Sequence, residues 1–255
     1  MPLIALTRDV SPALAHCELT HLERTPIDLE VARAQHDAYE RCLVDAGCVI
    51  QRLEAGVDMP DSVFIEDIAI VFDEIAVITR PGAPSRRAET PAVAEAVAPH
   101  RPVRRIETPG TLDGGDVLRV GRTVFVGCSG RTNGAGIGQL RCTLRPLGYD
   151  VREIEVHGCL HLKSAVSAAS DELLLVNRAW IPAADLSGFD VLDVHPDEAY
   201  GANVLRLADR VVHAAAFPRT RARLEQWGVR VQSVDVSELA KAEGAVTCCS
   251  ILIPA

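Results

Sequence analysis

The run Val117-Leu118-Arg119-Val120-Gly121-Arg122-Thr123-Val124-Phe125-Val126-Gly127 decides the fold. Two short β-rich segments flank a Gly121-Arg122 turn, the pattern of a tight hairpin. A more helical stretch, Gln139 to Leu147, follows it, and a third strand runs from Tyr149 to Val156. The local order is ββαβ.

The same order recurs at intervals of roughly 40 to 50 residues, the mark of a repeat architecture. Upstream, Ile68-Ala69-Ile70-Val71-Phe72 turns at Asp73-Glu74 into a strand from Ile75 to Arg80. Downstream, Ser164 to Ala168 pairs with Leu173 to Val176, and Val204 to Leu207 pairs with Val211 to Ala215. The last pair is followed by a helix over Arg221 to Trp227 and a strand over Val229 to Val234, whereas the third unit lacks a clear helical pattern. Gly158 and the loop Pro182 to Gly188 are the least regular parts. The longest helix runs from Leu29 to Ala46, stops at Gly47 as a helix C-terminus should, and leads into the strand Cys48 to Leu53. Ser250 to Ile253 then lacks a second hairpin strand, and Leu3 to Arg8 lacks a first. Pairing the two termini completes a fifth unit and closes a ring, which removes exposed strand edges. The chain is read as one α/β domain spanning 1–255.

Composition narrows the function classes. With 48% hydrophobic residues over 255 positions the chain can bury a full core. Its net charge of −9 disfavours a nucleic-acid surface and suits a cationic small molecule. No apolar run approaches a membrane span, and the N-terminus lacks the basic and apolar regions of a signal peptide. The eight cysteines form no Cys-x-x-Cys pair, so a zinc ribbon or a thioredoxin-like site is disfavoured and a reducing, cytoplasmic setting is expected.

Superposing the units by their hairpins brings the residues before each first strand to equivalent places around one end of the axis. They are Glu66-Asp67, Asp113-Gly114-Gly115-Asp116, His161-Leu162-Lys163, Asn203 and Cys248-Cys249. The second strands end in a matching series, Arg8, Arg80, Arg131, Arg178 and Arg219, with Arg86 and Arg87 just beyond Arg80. Each piece alone has a plain structural reading. Asp-Gly-Gly-Asp is most often a tight turn, a buried cysteine is usually packing, and arginines are usually solvated. His157 and His161 have a helical metal-ligand spacing, but Gly158 between them argues against a rigid helix and hence against zinc. Convergence shifts the balance toward chemistry. A thiolate is a strong nucleophile once its pKa, about 8.5 when free, is lowered or a cation binds beside it. A histidine can protonate a leaving group and then activate water. Several carboxylates around that pair call for a permanent cation among them, and a planar guanidinium meets the need.

Six blocks resemble the dimethylarginine dimethylaminohydrolases: Phe64-Ile65-Glu66-Asp67, the run Thr79 to Glu89, Thr111-Leu112-Asp113-Gly114-Gly115-Asp116-Val117, Gly130-Arg131-Thr132-Asn133, Leu160-His161-Leu162-Lys163-Ser164 and Thr247-Cys248-Cys249-Ser250. They are in order and reach from the first strand to the last. The resemblance implies a five-bladed pseudo-symmetric α/β propeller of ββαβ units. It also implies hydrolysis of N-omega-methylated arginines to L-citrulline and dimethylamine or methylamine, with no cofactor and no metal. Carried over residue by residue, Cys248 is the nucleophile, His161 the proton donor and later the activator of water, and Asp113 the group that orients it. Asp67, with Glu66 and Asp61 near it, holds the guanidinium side. Arg86 and Arg131 bind the α-carboxylate, Leu19 and the backbone of Ala242 contact the amino-acid end, and the loop Ser11 to Thr25 is a lid. The implied partner is the small-molecule substrate, with no nucleic acid and no membrane, and self-association into a homo-oligomer is allowed. Arginine deiminases and amidinotransferases are the nearest alternatives, but they are usually longer, and agmatine has no carboxylate for Arg86 and Arg131. A non-catalytic amino-acid-binding protein on the same scaffold is the alternative from another class, disfavoured because binding alone needs no thiol.

Overall fold

The computed structural model describes residues 3–182 and 186–254. Each of five sheets has three strands. In chain order, β1 (Ile4–Arg8), α1 (Leu29–Asp45) and β2 (Val49–Leu53) come first, and β3 (Ala69–Val71), β4 (Ala76–Ile78), α2 (Thr90–Val97) and β5 (Val103–Arg105) make the next blade. The second complete blade holds β6 (Val117–Val120), β7 (Thr123–Cys128), α3 (Gly134–Leu144) and β8 (Asp150–Glu155). A single helical turn, α4 (Leu162–Ala165), precedes β9 (Val166–Ala168), β10 (Leu173–Val176) and β11 (Asp190–Asp193). Next come β12 (Val204–Leu207), β13 (Arg210–Ala214), α5 (Pro218–Gln226), β14 (Val231–Val234) and the short α6 (Ser237–Ala240), and the chain closes with β15 (Ile251–Ile253).

Every blade has one plan: the first strand is antiparallel to the second, and the second is parallel to the third. The parallel step requires a crossover, which an α-helix supplies in four of the five blades among the described residues. The fifth blade is built from both ends of the chain, with β15 antiparallel to β1 in the register Ile4↔Ile253 and β1 parallel to β2. The expected ring is therefore closed by the terminal strands, as a five-bladed propeller.

Local chemistry sets the elements. The side chain of Asp28 caps α1 by accepting from the amides of Glu30 and Val31, and the helix ends before Gly47 in the left-handed region. Its buried side, Ala32, Gln35, His36, Tyr39, Glu40 and Leu43, follows helical spacing. Asn133 caps α3 in the same way through the amide of Gly136. The third hairpin starts later than its sequence suggests, because Ser164 and Ala165 belong to α4. The loop 182–188, expected to be irregular, lies partly outside the described residues. Among the described residues, no α-helix joins β10 to β11.

The core is distributed between blades. Leu6, Ile65, Ile78, Val97 and Ile253 fill the junction of the terminal blade with the next. Phe72, Val77, Val124, Ile137 and Leu140 fill the following one, and Phe125, Ile154, Leu162 and Leu174 the third. Such wedges leave the axial end of each first strand free for polar groups. Among the described residues, no helix is long and apolar enough to cross a membrane.

Candidate active site

One turn of helix precedes the first strand in four blades: Ile65–Ile68, Gly114–Asp116, Leu162–Ala165 and Ala199–Ala202. These turns aim the residues before each first strand toward the axis. The paired glycines of the second turn are required by close approach rather than by an unusual backbone, since neither has a positive φ. A Cβ on Gly114 would stand 2.0 Å from the carbonyl oxygen of Glu66, and one on Gly115 would stand 2.6 Å from Nδ1 of His161. The neighbouring blade and the imidazole occupy the space a side chain would need.

His161 lies between two buried carboxylates. Its Nε2 is 3.0 Å from Oδ2 of Asp113, and its Nδ1 is 3.8 Å from Oδ1 of Asp67. Asp113 is held from its other oxygen by the amide of Gly82, at 2.8 Å. Burial opposes the charge on His161, but Asp67, Asp116 and Asp113 outweigh it and push the imidazole up to about 9. The group is a stored proton at neutral pH. Burial likewise opposes the charge on Asp67, yet His161 and Arg86 hold its carboxyl down to about 2.

Cys248 lies in the turn before β15, its amide donating to Ala245 O and its carbonyl accepting from the amide of Glu66. Burial, then the negative field of Glu66 and Asp67, pushes the thiol up to about 12. The resting sulfur is protonated. A bound cation would offset that field. Cys249 is fully buried and its thiol is also pushed well up, chiefly by burial. Behind Cys248, Glu66 accepts from Lys163 Nζ on one oxygen and from the Thr247 hydroxyl on the other, while Asn203 donates to Thr247 Oγ1 and to the Lys163 carbonyl.

One cavity is lined by Cys248, His161, Asp67, Asp61, Arg86, Arg131, Ala242, Phe64, Leu160, Glu18 and Glu243. The segment from Ser11 to Thr25, expected to be a lid, packs against it and contributes Glu18 to its lining. Both oxygens of Asp61 accept from the amide of Glu18, the Glu18 side chain accepts from Ser85 Oγ, and Arg131 donates to Thr20 Oγ1. Arg86 is fully buried and holds Glu89 in a two-pronged pair, Asp67, and the carbonyls of Asp61 and Phe64. Its Nη1 makes the single bond to Asp67, so one of five guanidinium hydrogens is uncommitted among the described residues.

The structure gathers Cys248, His161, Asp67, Asp61, Arg86, Arg131 and Ala242 around one cavity, with Asp113 directly behind His161. Two expected contacts do not line it. Glu66 is turned to Lys163 and Thr247, and Leu19 packs against the core cluster around α1. The matching arginine series also comes apart. Arg178 pairs with Asp193 and Arg219 with Asp197 on the surface, and Arg8 is buried against the Glu54 carbonyl. The two histidines at zinc spacing do not converge, because His157 is exposed and faces Glu155. Glu18, Glu243 and Glu89 escape sequence reasoning: two lie in irregular loops without periodicity, and Glu89 is recognisable only once it is seen against Arg86.

A closed α/β propeller with a thiol, an imidazole and buried carboxylates at its axis defines a guanidine-modifying enzyme. No family model matches the chain. It is 44% identical over 249 residues to an N(G),N(G)-dimethylarginine dimethylaminohydrolase of Streptomyces coelicolor, covering 97% of this chain and 95% of that one. It is 36% identical over 227 residues to the enzyme of that name from Pseudomonas aeruginosa, covering 88% and 89%. A solved structure of the Pseudomonas aeruginosa protein, a cysteine-to-serine mutant complexed with citrulline, superposes with a TM-score of 0.93 at 34% identity over 99% of both chains. The chain belongs to the dimethylarginine dimethylaminohydrolase family.

Proposed function

We propose that the chain hydrolyses N-omega-methylated arginines to L-citrulline and dimethylamine or methylamine through a covalent intermediate on Cys248. The observation that carries this is the single cavity lined by the Cys248 thiol, the His161 imidazole and Asp67. The substrate guanidinium sits beside Asp67, where it supplies the positive charge that lets Cys248 ionise, the thiol proton passing to solvent as the substrate enters. The sulfur forms a bond to the guanidinium carbon. As the carbon–nitrogen bond to the methylated amine breaks, His161 gives that nitrogen its proton. The imidazole, now neutral, takes a proton from water, hydroxide adds to the S-alkylthiouronium, and the carbon–sulfur bond breaks as the new hydroxyl's proton passes to the departing sulfur, releasing citrulline and the resting thiol. Nε2 of His161 is engaged by Asp113, so the mobile proton is the one on Nδ1. Glu66 acts from behind through its field on Cys248, and Arg131 with the uncommitted Nη1 hydrogen of Arg86 receives the α-carboxylate. Ala242 and the lid segment that carries Leu19 border the amino-acid end.

Residues 1–255 act as one catalytic domain, since the terminal strands complete the fifth blade. Eight free cysteines favour the reducing cytoplasm as the site of action. The partner the cavity supports is the small-molecule substrate, and self-association is left open. Citrulline formation from dimethylarginine, monomethylarginine, arginine and agmatine, measured side by side, tests the assignment. The methylated arginines are expected to turn over fastest, and faster turnover of free arginine overturns it.

A further inference from the structure

The described lid is fastened chiefly by one side chain outside the reacting set. Glu243 accepts hydrogen bonds from three successive lid amides, those of Thr20 at 3.0 Å, His21 at 2.5 Å and Leu22 at 2.7 Å. Consecutive amides converging on one anion form a nest, a geometry that holds a carboxylate strongly. Glu243 also has φ +59°, a left-handed conformation that is strained for a residue with a Cβ. Glu243 follows Ala242 directly and stands five residues before Cys248. The lid residues it holds, His21 and Leu22, roof a second, apolar cavity lined by Phe217, Val236 and Val246, and Leu160 and Glu243 border both cavities.

We propose that Glu243 is the latch of the lid: a positioning residue that fastens Thr20 to Leu22 onto the segment carrying the nucleophile, so that lid closure and the placement of Cys248 are linked. Leu22, at the mouth of the apolar cavity, is the second point of closure. This rests on the reading of the cavity as the substrate site, and the two ideas fail separately.

The decisive variant is Glu243→Gly. Glycine suits the positive φ better than glutamate, so the variant keeps the fold and its Tm is equal to or above that of the parent, while the latch is gone. Amide hydrogen exchange at residues 18–22 should quicken roughly tenfold or more, with exchange in α1 and β13 unchanged. KM for dimethylarginine should rise about tenfold, with a smaller change in kcat. Glu243→Gln, which keeps an acceptor oxygen, should lie between the two in both exchange and KM. Unchanged exchange at 18–22 in Glu243→Gly overturns the latch, and so does faster exchange with an unchanged KM. Cys248→Ser, run alongside, tests the site itself: normal turnover in that variant overturns the site and the latch's link to it, whatever exchange shows.

Discussion

Nε2 of His161 stands 3.0 Å from Oδ2 of Asp113, and neither side chain has more than a sliver of exposed surface. The imidazole is raised to about 9, so its contribution to stability is whole below the unfolded value, near 6.5, and is lost as pH rises through about 9. The Tm of the ligand-free protein should therefore fall across that window, and His161→Gln should flatten the fall. Asp113→Asn removes one of the carboxylates that hold the proton, so the alkaline limb of kcat/KM should move to lower pH. Its loss of rate should be smaller than that of His161→Ala, since Asp67 still faces the ring. Thermal unfolding followed against pH, and citrulline formation followed against pH, check both statements.

A thiol held up to about 12 by burial, Glu66 and Asp67 is a poor nucleophile without substrate. Alkylation of Cys248 by iodoacetamide in the ligand-free enzyme should keep rising with pH, without a plateau, up to about pH 10. A plateau near neutrality would show a resting thiolate and contradict the field described. Cys248→Ser should lower turnover at least about 10³-fold.

Adjacent glycines should fail in different ways. A methyl at Gly115 meets Nδ1 of His161 at 2.6 Å and Oδ1 of Asp67 at 2.8 Å, so Gly115→Ala displaces the two side chains proposed to act on the substrate. Activity should drop roughly 10²-fold in a folded protein. A methyl at Gly114 meets the backbone oxygen of Glu66 at 2.0 Å, which cannot step aside as a side chain can. Gly114→Ala should lose about 1–3 kcal/mol of stability, seen in denaturant unfolding.

These glycines also mark where sequence reading stops. The Asp113–Asp116 run invites a turn explanation, because from sequence alone glycine signals backbone freedom. The real reason is the adjacent blade, a contact between residues nearly fifty positions apart. The ring itself was legible, since each hairpin carries its own alternation and turn, and the unpaired terminal strands imply their pairing. The inward residues were legible for the same reason, as they share a place in the repeat. Side-chain direction was not. Glu66 and Asp67 are neighbours in one helical turn, yet one is drawn behind Cys248 by Lys163 and Thr247 and the other is held at the cavity by Arg86 and the Gly115 amide. Arg178 and Arg219 share the position of Arg131 but have surface carboxylates closer to hand.

The adjacent cysteines give the sharpest contrast between position and composition. Cys248 lines the cavity, whereas Cys249 is fully buried in the cluster around α1, with Sγ 3.7 Å from the Ala245 carbonyl. No lining residue depends on the second sulfur, and burial keeps its thiol protonated. Serine at 249 would place a hydroxyl in that apolar setting with the Ala245 carbonyl as its nearest acceptor, at a cost of about 1–3 kcal/mol. Cys249→Ser should therefore have a lower denaturant midpoint but a kcat within about threefold of the parent. Cys248→Ser should show the reverse, near-native stability with turnover abolished. Measuring unfolding and citrulline formation on the two variants together separates the proposed nucleophile from its neighbour, and equal loss of turnover in both would remove Cys248 from its distinct role.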